Sequence, residues 1–172
     1  MQTENHQRYL EIRRIVPEGT AITLLHIGDQ ETSVATGTGS EPEKVLLLDI
    51  GSRRTAAEFF FHTPPTPGEI ENAIMRVEDE VTRAREIVAA YPMLISSDVS
   101  ILEIAQIAGG PAGSTLPLPI EAVEHAFALL AGHSLGRPAS SAGIPGDPAF
   151  AATLLILREF MHHLRFAAIS VT

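Results

Sequence analysis

The chain has 172 residues, 45% of them hydrophobic and 19% charged, which suits one globular domain with a real core and excludes a disordered polypeptide. A formal net charge of −9 gives nucleic acid or polyphosphate no long-range attraction, and the absence of cysteine excludes disulfide scaffolds, thiolate zinc sites and thiol nucleophiles. Residues 1–14 are polar and charged, and the longest apolar run, Ala149–Leu157, is about half of what a spanning helix needs, so a soluble cytoplasmic protein with no nucleic-acid or membrane partner is expected.

In chain order, residues 4–15 have helical character with a weak apolar stripe of Tyr9, Leu10, Ile12 and Ile15, and Pro17 and Gly19 end it. The stretch from Ile22 to Phe61 then reads as three consecutive strands, Ala21–Ile27, Thr32–Thr36 and Val45–Ile50, joined by short turns as an antiparallel meander. The runs ITLLHI and VLLLDI are nearly all apolar, which suits strands covered on both faces. Thr66, Pro67 and Glu69 predict an N-cap, an N1 proline and a capping box for a long helix, with Ile70, Ile74, Val77, Val81, Ala84 and Val88 inward and Pro92 as its stop. The acidic group Glu71, Glu78, Asp79 and Glu80 reads as a solvated face of that helix.

A short strand over 93–96, a helix Val99–Ala108 capped by Asp98, a glycine-rich loop and a helix begun by Pro119 follow. Residues 132–146 read as a connection, Asp147 and Pro148 open a last helix, and Phe166–Val171 closes as a strand. The order α-βββ-α-β-α-α-α-β predicts mixed α/β layers, with an N-terminal helix and connection over 1–19 and a single domain over 20–172.

Two glycine turns lie inside the meander, Gly28-Asp29-Gln30 and Asp49-Ile50-Gly51-Ser52. The collinear series of stretches His26–Val34, Leu48–Phe59, His62–Glu69, Ile95–Ser100 and Gly143–Val171 resembles the second, ribonuclease-H-like half of the exopolyphosphatase/guanosine-pentaphosphate phosphatase (Ppx/GppA) family, within the actin/Hsp70/sugar-kinase superfamily. The likeness runs from roughly residue 8 to the end. It implies an α/β half-domain in which further strands extend the meander and helices pack on the sheet. In that family the first stretch reads D-I-G-G-G-S-T-E-L, the second, a third strand, roughly L-P-L-G-x-V-R-L-T-E-x-F, and the fourth V-G-T-G-G-T. Glycine loops hold phosphate and a cleft carboxylate handles the attacking water.

Here Ile27, Gly28 and Thr32 match the first loop, but His26 replaces its Asp, Asp29 and Gln30 its next two glycines, Glu31 its Ser and Ser33 its Glu. Two acids facing a polyanion across a few ångströms would cost about 1 kcal/mol or more each at an effective dielectric near 20. The second loop has Ser96, Asp98 and Val99 at its three glycine positions, and Asp98 reads as a plain helix cap. The family's first half, with a further phosphate loop and catalytic acid, is not accommodated in this length. Gly51 and Arg54 fall on the glycine and arginine of the family's third strand, so the Asp49–Ser52 turn reads as structural.

The resulting expectation is a non-catalytic, exopolyphosphatase-related protein with degenerate phosphate loops. It would act through protein contacts or regulation, as a homodimer or hetero-complex through the face that the first half would cover. The alternative is half of a split phosphohydrolase, a phosphoric anhydride hydrolase, for which Glu31 and Asp49 are the catalytic candidates. A third reading is a small phosphate-ligand sensor. Gly28, Thr32, Arg53 and Arg54 are the candidate phosphate ligands, with the adjacent arginines the best local anion site. No cofactor is expected, and magnesium only with the enzyme reading. His125, His133, His162 and His163 lack metal-ligand spacing and read as solvated, the glycine run Gly109–Thr115 lacks the lysine of a P-loop, and Ser140 and Ser141 have no obvious base.

Overall fold

Strand β1 (Ile22–Ile27) sits at the middle of the sheet because alternate side chains on both of its faces are apolar. A computed structural model describes residues 2–109, 117–137 and 143–172. β1 pairs antiparallel with β2 (Thr32–Gly37), which pairs antiparallel with β3 (Lys44–Leu48). On its other side β1 runs parallel to β4 (Met93–Ser96), which runs parallel to β6 (Ala168–Val171), and the two-residue β5 (Leu118–Pro119) closes that edge. The spatial order is β3-β2-β1-β4-β6-β5.

The pleat sorts the side chains by parity. Leu25, Ile27, Val34 and Leu48 face the main helical layer, while Ile22, Leu24, Ala35 and Ile95 meet Tyr9, Ile12 and Val16 of and just beyond α1 (Gln2–Arg13) on the other face. Arg13 fastens α1 there, donating to the carbonyl oxygens of Thr20 (2.7 Å), Gly37 (2.6 Å) and Gly39 (2.8 Å). The β3 run is not covered on both faces as expected. It is an edge strand with Lys44 and Val45 exposed, and charge on an edge discourages pairing with another chain.

The meander ends at Leu48, and the segment read as the continuation of a third strand is helix α2 (Ser52–Phe59). SRRTAAEF has no period-2 alternation and is rich in helix formers, and its small buried Thr55 and Ala56 let it pack closely on the last helix. The long helix also divides, into α3 (Pro67–Val81), a 3-10 turn (Thr82–Ala84) and the short α4 (Arg85–Val88). Then come α5 (Val99–Ile107), α6 (Ile120–Ser134) and α7 (Pro148–His163). α7 is apolar almost all round and lies at the centre of the layer, against α2, α3, α5 and α6. Residues 110–116 and 138–142, which hold most of the glycine run and Ser140 and Ser141, lie outside the described residues. Among the described residues no helix is long and apolar enough to cross a membrane.

The capping box of α3 forms as its sequence predicts: Glu69 N–H donates to Thr66 Oγ1 (3.3 Å) and Thr66 N–H to Glu69 Oε2 (2.7 Å). Glu69 Oε1 also accepts from Phe61 N–H (2.9 Å) and meets His62 Nδ1 (2.8 Å). Desolvation pushes the Glu69 carboxyl up, but His62 and the Thr66 and Phe61 amides outweigh it and hold its pKa at about 2. A pKa lower in the folded than in the unfolded chain contributes stability that is present above the unfolded value, about 4.3, and is lost as pH falls towards 2. Urea unfolding between pH 5 and pH 2 (about these values) is therefore expected to show an acid-limb loss that is shallower in Glu69→Gln.

Candidate functional site

The carboxyl ends of the parallel strands, where open α/β sheets place ligands, hold the β1–β2 turn and the β4–α5 connection. The turn is closed by Gly28 N–H donating to Glu31 O (3.0 Å). Beside it lies the N-terminus of α2, whose first amides do not point into open space. Ser52 N–H donates to Gly28 O (2.9 Å), and Arg53 and Arg54 N–H both donate to Asp29 O (3.0 Å each). The turn's own carbonyls thus cap the helix.

That docking explains the glycine at position 51. A Cβ there would lie 2.5 Å from Gln30 C and 2.6 Å from Asp29 O, closer than real contacts allow, although its φ of −152° is open to any residue. Gly28 is constrained too, its Cβ position falling 2.9 Å from Glu31 O.

Asp98 stands at the N-cap position of α5 but does not cap it with its side chain. The carboxylate, 7% exposed, turns back to β1, where Oδ2 accepts from Ile27 N–H (2.7 Å) and Oδ1 meets His26 Nδ1 (2.6 Å). A carboxylate can only accept, so Nδ1 carries the proton and Nε2 of a neutral ring is left as the acceptor. Asp98 N–H is itself held by Ser96 Oγ (3.1 Å). His26 and Ser33 are cross-strand partners and face α1, where Ser33 Oγ donates to Asn5 Oδ1 (2.9 Å). With Glu4, Asp29 and Glu31 they line a cleft of about 150 Å³.

The candidate phosphate ligands occupy these surroundings without converging on a common point. Thr32 Oγ1 is buried and donates to Ile50 O (2.8 Å). Arg53 Nε pairs with Asp29 (3.3 Å), and Arg54 pairs with Asp49 and Glu58 (3.4 Å each). Of the catalytic candidates, Glu31 is half-buried at the cleft while Asp49 is exposed against Arg54. Among the described residues no three carboxylates or imidazoles are grouped as a metal site.

Two residues act differently from their sequence reading. Asp98 bridges strands rather than capping, and Glu80, expected on a solvated face, is buried. Desolvation raises the Glu80 carboxyl, but Asp49 N–H (2.9 Å), Arg83 (2.6 Å) and Arg76 (3.1 Å) outweigh it and hold it below the usual carboxylate range. The helical period itself could have found Glu80, three residues beyond Val77 on the buried side.

A central β1 flanked by an antiparallel β2–β3 hairpin on one side and parallel β4 and β6 on the other defines a ribonuclease-H-like, actin-type half-domain. Within that class the fold is that of the Ppx/GppA phosphatases. The Ppx/GppA enzyme of Aquifex aeolicus superposes with a TM-score of 0.78 over 98% of this chain and 60% of its own, at 17% identity. An exopolyphosphatase from Cytophaga hutchinsonii gives 0.72 over 97% and 59%, at 15% identity, and an exopolyphosphatase-like protein 0.71 over 90% and 55%, at 13% identity. The chain thus spans about three fifths of the length of these proteins. No protein-family model and no curated protein matches the sequence.

Asp98→Ala leaves the buried Ile27 amide without an acceptor and is expected to cost about 2–4 kcal/mol by urea denaturation. Asp98→Ser, which restores a cap oxygen but cannot span to β1, recovers less than about 1 kcal/mol of that loss; full recovery would make Asp98 a simple cap. Gly51→Ala, which tests the close approach alone, should cost about 2 kcal/mol in the same measurement.

Proposed function

We propose that this protein is an exopolyphosphatase-related half-fold that does not hydrolyse phosphoanhydrides and works through contacts with another protein chain or a second copy of itself. The observation that carries this reading is the internal use of backbone donors at the candidate site. The amides of Ile27, Gly28, Ser52, Arg53 and Arg54 are spent on Asp98, Glu31, Gly28 and Asp29, so an entering phosphate would have to break these bonds. Glu31 adds a negative charge, and Asp29 is paired with Arg53, at the rim of a cleft too small for a nucleotide.

The contact reading is supported by α5, which starts at this same edge of the sheet. Its Val99 is 70% exposed and Leu102, one turn on, 38% exposed, a small apolar rim beside Asp98 where water gains nothing from either side chain.

Phosphate release from polyphosphate or guanosine pentaphosphate with magnesium is expected to stay at background. Turnover abolished by Glu31→Ala would instead establish a phosphohydrolase completed by this chain. In light scattering the protein should run as a dimer or co-purify as a defined complex, and Val99→Asp, at an exposed position, should dissociate it by at least about tenfold in Kd without lowering the unfolding midpoint. A monomer with no partner overturns the contact reading.

A further inference from the structure

A second cavity, wider than the cleft at the β1–β2 turn, lies at the opposite end of the sheet, at the amino ends of β4 and β6. It measures about 630 Å³ and is floored by Val88 and Phe166, with Arg85, Arg165, His162 and His163 around it. No carboxylate lines it, although the chain carries a net charge of −9. The two histidines lean on acids outside it, His163 on Glu159 (3.0 Å) and Glu78 (3.9 Å), His162 on Glu124 (3.8 Å). Whereas Arg76, Arg83 and Arg158 pair with Glu80, Glu124 and Glu159, neither Arg85 nor Arg165 has a carboxylate partner among the described residues.

Arg165 adds an independent observation. It follows α7 with φ of +61°, the left-handed position of a Schellman ending in which Phe166 N–H donates to Met161 O (2.9 Å). Glycine is the ordinary occupant of that position, because a side chain there is strained. Arg165 nonetheless occupies that position, and it lines the cavity. Complementing the dipole of α7 accounts for a cation at 162–165 but not for Arg85, which opens a different helix.

We propose that this cavity binds a small phosphate monoester with an apolar or aromatic body. The volume lies within the range of small-ligand sites. The guanidinium forks suit the phosphate oxygens, while the Val88 and Phe166 floor takes the body. A dianion is favoured over a monoanion because it offsets both guanidinium charges. This site takes over the anion-sensing role that the sequence suggests for Arg53 and Arg54, whose guanidiniums are already paired.

Titration calorimetry of the full chain with phenyl phosphate, inorganic phosphate and benzoate tests it. Phenyl phosphate is expected to bind with Kd of about 1 mM or tighter, inorganic phosphate and benzoate each at least about fivefold more weakly. Arg85→Ala and Arg165→Gly should each weaken phenyl phosphate by about tenfold or more, whereas Arg53→Ala/Arg54→Ala should leave it unchanged. Arg165→Gly also relieves the left-handed strain, so its thermal midpoint should be equal or higher, separating loss of the ligand group from loss of the fold. No heat with any probe at about 10 mM, binding retained in both cavity variants, or binding lost in the Arg53/Arg54 variant would each overturn the site. Benzoate as tight as phenyl phosphate would overturn the phosphate class.

Discussion

The rest of the site depends on the seating of the β1–β2 turn against the first turn of α2. Three helix amides meet two turn carbonyls, and the absence of a side chain at position 51 lets the two backbones approach to contact. Helix N-termini attract anions because their first amides lack partners and the dipole adds positive character. Here the chain supplies its own carbonyl oxygens, so that attraction is consumed in holding the fold. Asp98 does the same for the end of β1, placing a carboxylate against the Ile27 amide. The turn, the helix start and the end of β1 thus form a self-bonded joint.

Charge is distributed in keeping with this. At the carboxyl ends of the strands Asp29, Asp49 and Glu58 neutralise Arg53 and Arg54. At the amino ends, Arg85 and Arg165 surround a wider space free of carboxylates. Buried Glu80 also works at the carboxyl ends of the strands. It ties α3 to the β3–α2 corner through Asp49 N–H, and its two arginine partners repay its desolvation.

Much of the architecture was legible in the residues. The unbroken apolar run of β1, the capping box at Thr66 and Glu69 and the Asp147-Pro148 opening of α7 each specify an element through local chemistry, and each forms as expected. The third-strand reading of Ser52–Phe59 failed because the likeness to an apolar, strand-like family motif outweighed the local helix preference of Ser-Arg-Arg-Thr-Ala-Ala-Glu. At the site, the loss of glycines at 29 and 30 was visible, but the joining of Gly28, Asp29 and Gly51 was not. That union depends on a hairpin and a helix separated by a whole strand, and no local period encodes it. Asp98 was misread for a related reason, since a cap and a cross-strand bridge ask for the same residue type and differ only in where the side chain turns.

The position of α7 bears on how the core closes. This helix supplies the middle of the core, and β6, which joins β4 to β5, follows it. The β1–β2–β3 hairpins and α3 can form by contacts local in sequence, but α2, α3, α5 and α6 share α7 as their common packing partner, so closing the core depends on contacts of high sequence separation. Disrupting α7 would therefore open nearly the whole inner surface of the helical layer at once, whereas losing α1 would uncover only the smaller cluster on the other face of the sheet.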